Sequence, residues 1–185
     1  MEKHKVAVLV GSLRKESFNL KVAKILMGMT AETLSFELIP IADLPLYNQD
    51  QDEDPPEVYN RFREMIRSSD AVLFVTPEYN RSIPGVLKNA IDVGSRPHGK
   101  SAWDGKPAAV VSVSTGAAGG FGSNHHLRQS LVFLNMPCMP QPEVYLGGIA
   151  RLLDENGNLK EPSTKEFLQK FLGAFEKWVN RMAIK

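Results

Sequence analysis

The sequence predicts an α/β fold in which a parallel sheet is wound on both faces by helices. Short apolar runs recur along the chain and alternate with longer stretches of helical periodicity. The runs are continuous rather than alternating, which is the pattern of strands buried on both faces. Three of them end in loops rich in glycine, proline or hydroxyl side chains, where open parallel sheets gather ligand contacts. Alternation of this kind implies parallel pairing with right-handed crossovers.

Taken in order, residues 6–10 are all apolar and form the first strand, and Gly11 marks a sharp turn. Residues 20–29 are helix-compatible, and residues 34–39 read as the second strand. Residues 46–56 carry Asp50, Asp52, Glu53, Asp54 and two prolines without apolar periodicity. That stretch is either a solvated connection or a loop at the mouth of a site or a subunit contact. A charged helix over 57–68 places Val58, Phe62, Met65 and Ile66 along one face. Residues 70–76 make the third strand. Pro77 and Pro84 stiffen the loop that leaves it, and a helix follows over 85–93. The remaining order is a strand at 108–113, a helix at 124–134, a strand at 144–146 and a final helix at 164–182.

The first loop has the composition of an anion site. Ser12, Arg14, Ser17 and Asn19 supply two hydroxyls, a guanidinium fork and an amide just before a helix begins. Free N–H groups and the positive dipole end of that helix favour a phosphate without any metal. With Gly11 the only glycine before Gly28, neither the dinucleotide nor the triphosphate glycine pattern is present. The same side chains would also serve a plain helix cap beside a solvated arginine. In the second loop Tyr79 offers a flat face and Asn80 both donors and an acceptor, which suits a heteroaromatic ring with amide-like edges; ordinary surface packing is the alternative for Tyr79. The third loop places Ser114, Thr115 and Gly116 beside the other two, with glycines that let backbone approach a planar ligand. Arg96, His98 and Lys100, with Arg81, either form a positive patch for nucleotide phosphates or an anionic acceptor, or are simply solvated.

Composition bounds the remainder. The 185 residues suit one domain spanning 1–185, and 43% hydrophobic with 23% charged residues exclude disorder and membrane insertion. A formal net charge of +1 argues against a nucleic-acid or polybasic membrane surface. The N-terminus lacks the apolar core of a signal peptide, so the expected address is cytoplasmic. Cys138 stands alone, no Cys/His cluster has metal-site spacing, and the adjacent His125 and His126 read as surface or interface residues.

The motifs at residues 11–19, 76–80 and 82–92 closely resemble those of the NAD(P)H-dependent FMN reductases, in particular the bacterial quinone and chromate reductase branch. The resemblance implies a flavodoxin-like three-layer sandwich with a five-stranded parallel sheet in the order 2-1-3-4-5 and non-covalent FMN at the switch between strands one and three. It further implies NADPH or NADH as electron donor, quinones and chromate as acceptors in alternating two-electron transfers, and a homodimer or homotetramer. Carried over by motif, Ser12, Arg14, Ser17, Phe18 and Asn19 belong to the phosphate loop. Pro77, Glu78, Tyr79 and Asn80 run along the flavin ring, and Ser114, Thr115 and Gly116 form the third contacting loop. Arg81 and Arg96 are candidates for substrate binding, and no side chain is nominated as catalytic. One departure is Glu16, where similar sequences often carry glycine; a carboxylate there must point outward or weaken phosphate binding. Residues 127–142, with Arg128, Phe133, Met136 and Met139, are either a contact surface between subunits, across which Glu143 would pair with a basic residue, or part of the chain's own core, which explains the same apolar residues equally well. The rival class is a flavodoxin-type electron carrier, against which the near-neutral charge and the lack of a T-x-T-G-x-T-like loop both count.

Overall fold

His4–Val10 forms β1, and its neighbours on both sides run parallel to it in the computed structural model, which describes residues 3–183. β2 (Leu34–Leu38), β3 (Ala71–Thr76), β4 (Ala108–Val113) and β5 (Val144–Leu146) complete a five-stranded sheet in the order β2-β1-β3-β4-β5. Every pairing is parallel, with Val6 opposite Ala71, Val72 opposite Ala108 and Val111 opposite Val144. The expected flavodoxin-like strand order is therefore the observed one.

Side chains alternate across this sheet into two cores. Val6, Val8 and Val10 of β1 face one side with Leu73, Val75 and Val111, where α1 (Phe18–Gly28) and α6 (Pro162–Ala183) cover them. Ala7 and Leu9 face the other side with Val72, Phe74 and Val110, under α2 (Glu57–Arg67), α3 (Gly85–Gly94) and α4 (Phe121–Phe133). All six residues of β3 and of β4 are buried, which explains why their sequences are unbroken apolar or small runs. In the second core Trp103 sits edge-on to Phe62 at 5.9 Å between ring centroids and donates its indole N–H to the Ile91 carbonyl at 2.9 Å.

The helix boundaries differ from the sequence expectation for local reasons. α1 starts at Phe18 rather than Leu20 because the Ser17 hydroxyl accepts the Leu20 N–H at 3.2 Å and caps the first turn. α4 starts at Phe121, three residues early, after Gly120 at φ 79°. α6 starts at Pro162, a residue whose missing N–H costs nothing in a first turn. A four-residue helix, α5 (Ile149–Leu152), was not anticipated, and residues Gln49–Gln51 within the acidic loop form one 3-10 turn. On α2 the fully buried face is Tyr59, Phe62, Arg63 and Ile66, while Val58 and Met65 are only partly buried. Arg63 tolerates burial because its Nε donates to the Val93 carbonyl at 2.9 Å and its guanidinium lies 5.4 Å from the Tyr59 ring centroid.

Of the two readings of residues 127–142, the chain's own core holds at Met136 and Met139, and the pairing of Glu143 across an interface needs correction. Met136 and Met139 are buried in this chain's own two cores, and Arg128 approaches Glu143 of the same chain at 3.9 Å. Phe133, at 91% exposure, and its neighbour Val132, at 77%, remain on the surface.

Candidate functional site

The loops that follow β1, β3 and β4 meet at the carboxyl ends of those strands, beside the switch point between β1 and β3 where the strand order changes direction. They approach each other so closely that a Cβ on Gly11 would stand 3.2 Å from each of Leu87 Cδ2, Pro77 Cδ and Thr76 Oγ1. Between the loops lies a cavity of about 140 Å³. Ser12, Arg14, Ser17, Phe18 and Asn19 line it from the first loop, Pro77, Glu78 and Tyr79 from the second, and Ser114 and Thr115 from the third. Ten of the residues read from the sequence are thus brought together. A larger hollow of about 580 Å³ runs along α1 beside Lys21, Lys24 and Lys165. Size alone does not single out the loop cavity; the convergence of hydroxyls, an amide and a helix N-terminus does.

The first loop presents the positive end of α1 to the cavity, and among the described residues neither Phe18 nor Asn19 gives its backbone N–H to another group of the chain. Asn19 is 5% exposed, and its Oδ1 is buried without a hydrogen-bond partner. A buried amide oxygen left unpaired costs about 1–3 kcal/mol, so this atom is set for a ligand hydroxyl or N–H. Arg14 stays exposed at the rim. Glu16 points away from the cavity and accepts Lys21 Nζ at 2.9 Å, and that contact holds its carboxyl below the usual range. This is the outward arm of the Glu16 expectation.

The second loop is a tight hairpin. Tyr79 and Ser82 exchange backbone hydrogen bonds at 3.1 and 3.0 Å, and the two residues between them, Asn80 at φ 51° and Arg81 at φ 63°, both lie in the left-handed region. Tyr79 leaves the hairpin 46% exposed, with its ring available to a planar ligand. Glu78 lines the cavity, but its Oε2 accepts the Ser123 N–H at 3.1 Å near the start of α4. Its carboxylate therefore anchors the helix to the loop.

The third loop is held by α5. Ser114 accepts the Ile149 N–H on its carbonyl at 3.1 Å, and its hydroxyl accepts the Gly116 N–H at 3.1 Å. Val113 and Ile149 add an apolar floor that the sequence reading missed. The available signal was the pair Gly147-Gly148: a Cβ on Gly147 would come within 2.4 Å of the Ala117 carbonyl oxygen, so only glycine fits that approach.

Four candidates lie outside the cavity lining. Asn80 and Arg81 occupy the hairpin tip, with the Arg81 side chain 84% exposed, and Gly116 sits behind Ser114. Arg96 lines a separate hollow of about 340 Å³ with Lys88 and Phe133, its guanidinium 5.8 Å from the Tyr47 ring centroid. Among the described residues, no group of three or more His, Cys, Asp or Glu side chains is placed to hold a metal ion, and no helix is long and apolar enough to cross a membrane.

Comparison with known proteins identifies the family. A quinone reductase of Pseudomonas putida is 63% identical over 177 residues, covering 95% of both chains. The solved structure of the flavoenzyme NAD(P)H:(acceptor) oxidoreductase FerB of Paracoccus denitrificans superposes with a TM-score of 0.91 at 43% identity, over 97% of this chain and 98% of that one. A flavodoxin mutant from Pseudomonas aeruginosa, at 18% identity and a TM-score of 0.61 over 95% of this chain and 99% of that one, shares the fold alone. The sequence pattern of the NADPH-dependent FMN reductase family matches residues 4–150, so sheet, loops and cavity all fall inside it, and the chain belongs to that family.

Proposed function

We propose that residues 1–185 act as one FMN-binding domain that oxidises NADPH or NADH and reduces quinones. The observation that carries the proposal is the joining of three loops around one cavity at the N-terminus of α1, with the Asn19 amide oxygen buried there and unpaired. Ser12, Arg14, Ser17 and the free N–H groups of the first helical turn suit a phosphate. Asn19 Oδ1 suits a hydroxyl donor on the chain that follows it. Pro77 and Tyr79 offer flat apolar faces, and Ser114 and Thr115 offer polar contacts for a ring edge. FMN, when bound, supplies a ring that accepts hydride from a nicotinamide and passes two electrons to an acceptor. The protein's part is to hold that ring at the open rim, where donor and acceptor reach the same face in turn.

The close relative named a quinone reductase points to quinones as the acceptor class, and the flavoenzyme relative to NAD(P)H as donor. Chromate and other small oxidants are proposed as further acceptors. A cytoplasmic address and assembly into homodimers or homotetramers complete the proposal, the second resting on exposed Val132 and Phe133 at the end of α4. Steady-state oxidation of NADPH or NADH at varied benzoquinone concentration should give the parallel double-reciprocal lines of alternating half-reactions. Oxidation no faster than with free FMN would overturn the enzyme and leave an electron carrier.

A further inference from the structure

Two-electron reduction of a quinone needs more than a hydride source. The quinone takes up one hydride and one proton to become a hydroquinone, so the balanced reaction is NAD(P)H plus a proton plus quinone giving NAD(P)+ plus hydroquinone. Among the cavity-lining carboxylates Glu78 is already engaged by the Ser123 N–H, which leaves the proton without an assigned donor.

Beside the second and third loops stands a group of side chains with no role so far. Phe121 and His125, one turn apart on α4, have ring centroids 4.3 Å apart, and Tyr145 of β5 lies 5.3 Å from Phe121. The His125 and Tyr145 rings are nearly parallel at 19°, and His125 Nε2 and the Tyr145 hydroxyl share a hydrogen bond of 2.9 Å. Phe121 is 53% exposed, so the group shows an aromatic face to solvent.

Both loops fix this group in place. His126 shares a 3.0 Å hydrogen bond with the Ser82 hydroxyl of the Tyr79 hairpin, and a Cβ on Gly122 would meet the Arg81 carbonyl oxygen and Glu78 Oε2 at 2.9 Å. On the other side a Cβ on Gly119 would come within 2.7 Å of the Tyr145 backbone, and the Gly119 N–H reaches the Gly116 carbonyl at 3.3 Å. The start of α4 is thus wedged between the hairpin that carries Tyr79 and the loop that carries Ser114 and Thr115.

We infer that His125, held by Tyr145, is the proton donor to the quinone, and that Phe121 is the shelf against which the flat acceptor rests; the inference rests on the quinone-reductase reading. With its Nε2 committed to Tyr145, His125 keeps Nδ1 free, since no partner for Nδ1 occurs among the described residues. In the imidazolium form Nε2–H donates to the Tyr145 oxygen and the Nδ1 proton passes to the quinone oxygen, while NAD(P)H is the source of the hydride equivalent. Solvent returns the proton to the exposed ring. Burial first, and Glu143 second, push the Tyr145 phenol up to about 12, so it stays neutral and serves as an anchor. Tyr145 contacts His125 directly, Glu143 acts on Tyr145, and His126 and Arg128 share α4 with His125.

The test uses FMN-loaded enzyme reduced anaerobically by one equivalent of NADPH and mixed rapidly with either benzoquinone or ferricyanide, which takes electrons without protons. Benzoquinone should reoxidise the reduced parent protein rapidly. His125→Asn should slow the benzoquinone step by about 100-fold, with the ferricyanide step and the preceding reduction by NADPH unchanged. Tyr145→Phe, which keeps the ring packing, should slow the benzoquinone step several-fold and spare ferricyanide. Parental benzoquinone rates in both variants would overturn the assignment. Equal losses with both oxidants would also overturn it, by showing a structural role. A parent protein that benzoquinone cannot reoxidise would instead bring down the reading of the function itself.

Discussion

Ser17 does two jobs with one hydroxyl. It caps α1 by accepting the Leu20 N–H, and it lines the cavity 2% exposed. Ser17→Ala should therefore lower the stability of the FMN-free protein by about 1 kcal/mol, the usual worth of an N-cap, and weaken FMN binding as well. Thermal unfolding without flavin and a fluorescence titration with it separate the two effects; unchanged FMN affinity would remove Ser17 from the phosphate site. The first-loop residues that line the cavity were legible because their chemistry is local: hydroxyls, a guanidinium and an amide clustered between a strand and a helix. Arg96 was not placeable in that way, since its position depends on Tyr47, far away in sequence, and the structure sets it in another hollow. The turn at Asn80 and Arg81 was equally hidden, because arginine gives no signal of the left-handed conformation it adopts there.

The strands were the legible elements, since residues buried on both faces leave an unbroken apolar record in β1, β3 and β4. Short elements left none: α5 has four residues, too few for a period, and is set by tertiary bonds to Ser114 and Gly116. On α2 the sequence reading passed over Arg63 because a charge is rarely buried; a carbonyl and an aromatic face make it tolerable. α4 shows both faces of the problem. Leu127 and Leu131 fill the second core, while Val132 and Phe133 project outward at its end. Phe133→Glu should change stability by no more than about 0.5 kcal/mol, as surface substitutions do, and shift the sedimenting species to monomer. A parent protein that is already monomeric, or a variant that sediments as the parent does, would contradict the interface proposed there.

At the scale of the whole molecule, function follows from strand order. The strand order turns back between β1 and β3 and opens a crevice there, and the loops leaving the strands around it supply the three walls of the cavity. Two cores of alternating side chains hold the sheet rigid beneath those loops. The net charge of +1 leaves no strong field to select an acidic or basic macromolecule, which fits small donors and acceptors. The central claim is tested most directly by one anaerobic cuvette: the visible spectrum of the FMN-loaded protein, then NADPH or NADH, then benzoquinone. The account predicts flavin bands that bleach with nucleotide and return with quinone; bands that ignore both nucleotides, or a protein that takes up no FMN, would contradict it.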